Sequence, residues 1–118
     1  MPMTRFSMTM DTNGNVAFGL PDSNTKYQTV LTASTEQTLV VPETGDATYQ
    51  RVAAVFSFQP GSTIWYSVNS TATLPTGSFT ATTSEQNPQV RYVRPGDVLH
   101  FITRSITAEV GVMFYALQ

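Results

Sequence analysis

Apolar residues in this chain recur at every second position in one segment after another, and this alternation constrains the fold more than any other feature. In "TRFSMTMD", residues 4–11, Phe6, Met8 and Met10 fall on one side and mostly polar residues on the other. Because successive side chains of a strand point to opposite faces of a sheet, the spacing predicts a half-buried strand. Apolar residues never recur at spacings of three and four for long enough to predict a helix.

Turn-forming sequences divide the alternating segments into short strands. "DTNGN" predicts a tight hairpin, because Asn-Gly accepts the positive φ values that such a turn needs. The longest apolar segment, "YQRVAAVFSF", has the Tyr, Val and Phe content of a central strand, and "SEQNPQ" is predicted as a turn. Further strands are predicted over residues 16–20, 26–33, 37–42, 63–69, 78–83, 90–94, 97–104 and 109–118.

Roughly nine or ten short strands, with turn signals about every 8–12 residues, predict an all-β fold. We expect a single-domain antiparallel β-sandwich of the jelly-roll or Greek-key type over residues 1–118, with residues 1–5 as an extended arm. The longer links at 42–48, 69–77 and 83–89 favour Greek-key crossings over a simple meander. Helix should account for less than about a tenth of the chain.

Composition excludes several classes of function. Charged residues make up only 12 % of the chain and the net charge is -2, so there is no basic surface for a nucleic acid. No apolar run approaches the roughly 20 residues that span a bilayer. The chain has no cysteine, which excludes disulfides and thiolate metal sites. "MPMTRFSMTMDTNG" lacks the pattern of a signal peptide, so we expect synthesis in a cytosol.

The single histidine, His100, is the first candidate for chemistry. A metal site of the cupin kind needs two or three histidines and a carboxylate, because one imidazole cannot complete a coordination sphere. Asp97 lies three residues earlier on the same strand, so its side chain points to the opposite face and cannot form a catalytic pair with His100. We therefore expect a structural His100 in a non-enzymatic protein with no catalytic residue, cofactor or metal.

Two further segments suggest a contact surface. In "IWYSVN", Trp65 and Tyr66 point to opposite faces, so one ring is expected in the core and the other at the surface, where it packs at an interface or stacks on a sugar. In "VRYVR", the arginines either protect a sheet edge or bind a partner's carboxylates. The candidate interface residues are Arg5, Trp65, Tyr66, Arg91 and Arg94.

The C-terminal half, residues 61–117, resembles small virion structural proteins of tailed bacteriophages. The resemblance consists of an aromatic strand, an "N-x-T-A-x-x-P" loop at residues 69–75, the turn "SEQNP", a basic residue before "PGD", and the closing "VGVxFYAL". It implies a head decoration or cement protein with a jelly-roll or related β fold, which clamps the joints between major capsid subunits. The family brings no catalytic residues with it.

The resemblance also sets expectations for partners and location. We expect the major capsid protein as partner, a homo-oligomer with a trimer as the first hypothesis, and a place on the capsid surface after synthesis in the host cytoplasm. No nucleic acid or membrane partner is expected. The alternative is a carbohydrate- or receptor-binding β-sandwich module of a phage fibre or tail, and an enzyme is the third class considered.

Overall fold

The computed structural model describes residues 2–6, 9–10, 16–17 and 21–117, and all regular structure in these ranges is β. The strands are β1 (Thr9–Met10), β2 (Val16–Ala17), β3 (Lys26–Thr32), β4 (Gln37–Val40), β5 (Arg51–Phe58), β6 (Ile64–Val68), β7 (Glu85–Gln86), β8 (Val90–Val93), β9 (Val98–Thr103) and β10 (Thr107–Leu117). Within these ranges no helix is long and apolar enough to cross a membrane. The predicted all-β class is confirmed.

Eight strands form two four-stranded antiparallel sheets. The strand order is β3-β10-β5-β8 in the first sheet and β4-β9-β6-β7 in the second. From β3 to β10 the chain changes sheet at every step except the step from β6 to β7. This wrapping of one antiparallel ribbon around two sheets is the jelly-roll arrangement, and it confirms the predicted sandwich.

The alternation along each strand creates the core between the sheets. In β9 the pattern is regular: Leu99, Phe101 and Thr103 are buried, and the residues between them are half-buried on the outer face. Phe56, Tyr66 and Phe101 meet in the core with ring centroids 5.0 to 6.0 Å apart. These rings come from β5, β6 and β9, so they join the first sheet to the second.

One predicted strand is absent, and the segment that follows it, predicted as a turn, contains a short strand. Residues 78–83, "SFTATT", form no strand but belong to a long loop over residues 69–84. Their hydroxyls bond to other side chains of the loop, as Thr82 does with Thr73, and this replaces a backbone ladder. The segment "SEQNPQ" instead contains the short strand β7, which pairs with Trp65 and Tyr66 of β6.

The N-terminal segment contains a separate two-stranded sheet and also pairs with the end of β10 in the first sheet. Strands β1 and β2 form an antiparallel pair, while the Asn-Gly turn predicted between them lies outside the described residues. Residues 2–6 run beside the end of β10, where Phe6 donates its N–H to the carbonyl of Ala116 at 3.0 Å. Ala116 in turn donates to the carbonyl of Thr4 at 2.8 Å, and Met3 is buried in the core.

Because Met3 is part of the core, its replacement by alanine should destabilise the sandwich. We expect Met3→Ala to lower the free energy of unfolding by about 2–4 kcal/mol, the usual cost of removing a buried methionine side chain. Arg5→Ala is the matched control, because its exposed ion pair should be worth less than about 1 kcal/mol. Urea denaturation measures both values, and equal small losses would show that residues 2–6 do not contribute to the folded core.

Candidate functional site

The two neighbouring aromatic residues of β6 take different environments. Tyr66 is only 3 % exposed and packs between the two sheets, which removes it from the candidate interface. Trp65 is half-buried on the outer face of the second sheet, opposite Ile102 of β9 and Gln86 of β7. The sequence predicted one ring in the core and the other at the surface. The structure shows that Tyr66 is the core ring and Trp65 is the surface ring.

The hydroxyl of Tyr66 is buried without a hydrogen-bond partner among the described residues. Desolvation raises the pKa of Tyr66 from 10.0 to about 12, and the negative charge of Glu85 contributes in the same direction. The phenol therefore stays protonated throughout the physiological range. A buried donor without an acceptor costs stability and serves no visible chemistry here.

Arg91 binds a residue of the same chain. Its guanidinium makes a bidentate contact with Glu85, with Nε donating to Oε1 at 2.6 Å and Nη2 donating to Oε2. Nη1 donates to the carbonyl of Val90 at 2.6 Å. Because Glu85 lies in β7 and Arg91 in β8, the pair connects the edges of the two sheets. This geometry fits the edge-protection interpretation of Arg91.

Arg5 and Arg94 lie at one end of the sandwich, around the loop that joins β4 to β5. Arg5 forms an ion pair with Asp46, and its guanidinium carbon lies 4.6 Å from the ring centroid of Tyr49. The exposed side chain of Arg94 lines an open surface cleft with Glu43 and other residues of this end. The structure therefore brings Arg5 and Arg94 to the same region and leaves Trp65 on the outer face of the second sheet.

His100 contacts a carboxylate that binds the 69–84 loop. Its Nδ1 lies 3.0 Å from Oε1 of Glu36, and because a carboxylate only accepts hydrogen bonds, Nδ1 carries the proton. The other oxygen of Glu36 accepts the backbone N–H of Ala72 at 2.7 Å. His100 thus orients the Glu36 carboxylate, which holds the 69–84 loop through its hydrogen bond to Ala72. In the part of the chain that the structure describes, no three His, Asp or Glu residues come together as a metal site.

The sequence predicted residues 69–77 as a link and 78–83 as a strand, whereas the structure has one loop over residues 69–84 beside Trp65. Its Ser and Thr hydroxyls bond to one another and to the sheet, and with Trp65 it encloses a cleft of about 390 Å³. The ring of Phe79 is fully exposed on this loop. The composition was the available signal, since Thr and Ser make up more than half of residues 69–84 and their hydroxyls can bond to one another in place of a backbone ladder.

An exposed apolar strip lies on the outer face of the first sheet. It is defined here as Val55, Val90, Tyr92 and Met113, which the strand register places side by side on β5, β8 and β10. Tyr92 is 78 % exposed and Val90 is 43 % exposed. Strand β8 is an edge strand that pairs only with β5, so its other side faces away from the sheet. Exposed apolar residues beside an open strand edge are typical of protein contact surfaces.

Comparison with known proteins found no matching family model, no matching curated protein and no matching solved structure. The proposals below therefore start from the sequence resemblance of residues 61–117 and from two features of the structure, the apolar strip and the cleft beside Trp65.

Replacement of the unpartnered phenol should stabilise the protein. We expect Tyr66→Phe to raise the free energy of unfolding by up to about 1 kcal/mol, because a buried hydroxyl without a partner is removed while the ring remains. The effect should grow at alkaline pH. The pKa of Tyr66 is higher in the folded state, so stability present below pH 10 is lost as the pH rises towards about 12.

Urea denaturation at pH 7, 10 and 11.5 measures this difference. Tyr92→Phe is the matched control, since it also removes one tyrosine hydroxyl but from an exposed ring outside the core. A Tyr66→Phe variant that is less stable than the parent at pH 7 would show that the hydroxyl has a partner in solution.

Replacement of His100 should weaken the attachment of the 69–84 loop and should not remove a bound metal. We expect His100→Ala to lower the free energy of unfolding by about 1 kcal/mol, the value of one hydrogen bond. Glu36→Ala should cost more, because the backbone N–H of the buried Ala72 also loses its acceptor. Thermal melts with zinc and with a chelator should coincide for the unmodified protein. Stoichiometric zinc that disappears in His100→Ala would contradict this prediction.

Proposed function

We propose that this chain is a non-enzymatic virion structural protein of a tailed bacteriophage, which decorates the capsid and stabilises it by bridging major capsid subunits. The observation that carries the proposal is the apolar strip beside the free edge of β8. The resemblance of residues 61–117 to small virion proteins supplies the class of partner. The jelly-roll fold is compatible with this function and with many others.

The strip offers enough apolar surface to anchor a partner. Complete burial of one aromatic or branched side chain contributes about 1.5–3 kcal/mol, and Tyr92 and Val90 both have area left to bury. Large aromatic residues in such positions commonly carry most of the energy of an interface. Arg91 donates to the carbonyl of Val90 and pairs with Glu85, which protects the edge of β8 from strand pairing, so the proposed contact is made by the side chains of the strip.

The chemistry of the remaining surface supports an ordered protein contact. The chain has one lysine, Lys26, and its polar surface consists mainly of Ser and Thr, which lose little side-chain entropy on binding. Arg94 projects from the loop that follows β8 and is available for a carboxylate of the partner. We propose a symmetric homo-oligomer, with a trimer as the first hypothesis, as the form that binds between capsid subunits.

Substitution of the central residue of the strip should weaken attachment to heads. We expect Tyr92→Ser to reduce affinity for phage heads that lack this protein by about 10- to 100-fold, which corresponds to roughly 1.4–2.7 kcal/mol of lost apolar burial. Phe79→Ser is the matched control, because this ring is also exposed but lies on the 69–84 loop over the second sheet. Co-sedimentation with undecorated heads measures both affinities.

The same particles test stabilisation. Because a protein that binds only the assembled shell stabilises it by mass action, decorated heads should withstand higher temperature than bare heads, and Tyr92→Ser should lower this gain. Failure of the unmodified protein to bind heads, together with saturable binding to host-surface glycans, would reject decoration in favour of a fibre or tail module.

A further inference from the structure

The cleft beside Trp65 has the form of a small-molecule site. The indole of Trp65 lies on the outer face of β6 and lines the cleft together with Pro75, Phe79 and Ser84 of the 69–84 loop. The volume of about 390 Å³ falls within the range of about 300–1,000 Å³ that is usual for ligand pockets. No charged side chain of the described residues lines this cleft.

Side-chain contacts fix the loop in place on the sheet. The hydroxyls of Ser67, Ser70 and Thr83 bond to one another, and Ser67 belongs to β6 itself. At the far side, the guanidinium of Arg104 donates to the carbonyl of Pro75. The Glu36 carboxylate also accepts the backbone N–H of Ala72, so the loop is bound to the rest of the protein at three points. A site that is already formed loses less conformational entropy when a ligand binds.

The polar groups of the cleft are uncharged hydroxyls with bonding capacity left. Thr73 and Thr82 bond through their hydroxyls at 3.2 Å, and Ser84 Oγ accepts the backbone N–H of Thr73 at 3.0 Å. A hydroxyl offers one donor and two acceptor positions, so each of these groups retains a position for a ligand. The nearest cation is Arg104, whose guanidinium donates to the carbonyl of Pro75 and is not part of the cleft lining, so heparin is the anionic comparison for the test.

We propose that this cleft binds a neutral pyranose unit of a glycan. The indole face of Trp65 stacks on the apolar face of the sugar ring, whose C–H groups meet the negative face of the aromatic system. The hydroxyls of Thr73, Thr82 and Ser84 bond to the sugar hydroxyls. The site lies on the second sheet, away from the apolar strip, and so extends the proposed function without depending on it.

The single tryptophan of the chain allows a direct test, because all indole fluorescence comes from Trp65. The intact protein is titrated with maltohexaose, cellohexaose and the hexamer of β-1,4-linked N-acetylglucosamine, and with heparin as an anionic comparison. We expect a saturable change in fluorescence with at least one neutral hexamer and tighter binding of that hexamer than of heparin. Tighter binding of heparin, or no saturable change with any neutral hexamer at millimolar concentrations, overturns the proposal.

Three variants locate the binding, with affinity measured by titration calorimetry. Trp65→Ala should weaken binding at least tenfold, and Trp65→Phe should retain part of the affinity because a ring remains. Thr82→Val keeps the shape of an exposed side chain and removes its hydroxyl, so it tests the site even if Trp65→Ala folds poorly. Unchanged affinity in Thr82→Val and Trp65→Phe overturns the proposal. Tyr92→Ser should bind the sugar normally, which separates this result from the binding to heads.

Discussion

The contact of Phe56, Tyr66 and Phe101 between the two sheets determines the rest of the structure. Each ring comes from a different strand, and because side chains alternate along a strand, burying one of them fixes which neighbours face outwards. Because Tyr66 lies in the core, its neighbour Trp65 lies at the surface. Because Phe101 lies in the core, its neighbour His100 lies on the outer face. A register slip by one residue would exchange these roles, so the aromatic contact also fixes the surface.

Both proposed sites follow from this arrangement, and they occupy opposite faces of one sandwich. The apolar strip lies on the outer face of the first sheet, and the Trp65 cleft lies over the outer face of the second sheet. The two proposed partners, a capsid subunit and a glycan, would therefore bind on opposite faces. The Arg91–Glu85 ion pair joins the edge strand of the first sheet to the edge strand of the second. On this side the sheets are therefore connected by an ion pair as well as by core packing.

Polar groups hold the parts of the molecule that lack a backbone ladder. The Glu36 carboxylate is the clearest case, because it bonds to the imidazole of His100 and to the backbone of Ala72. Hydroxyl groups do the same within the 69–84 loop, and a composition rich in Ser and Thr makes this possible without charge. The Tyr66 hydroxyl is the exception in the described core, since a ring that fits the aromatic contact leaves its oxygen without a partner.

The sequence by itself determined the all-β class, most strand positions and the sandwich, because alternation and turn chemistry are local properties that a one-dimensional pattern records. It also predicted that one of the two rings, Trp65 or Tyr66, lies in the core. Only the tertiary structure decided which ring that is, since both faces of β6 carry aromatic or small residues. The Glu36–His100 contact joins residues 64 positions apart, and the Trp65 cleft joins β6 to a loop without periodicity. The long links predicted the Greek-key crossings, but which side chains meet depends on how the strands pair and stack in three dimensions, and no local pattern encodes those contacts.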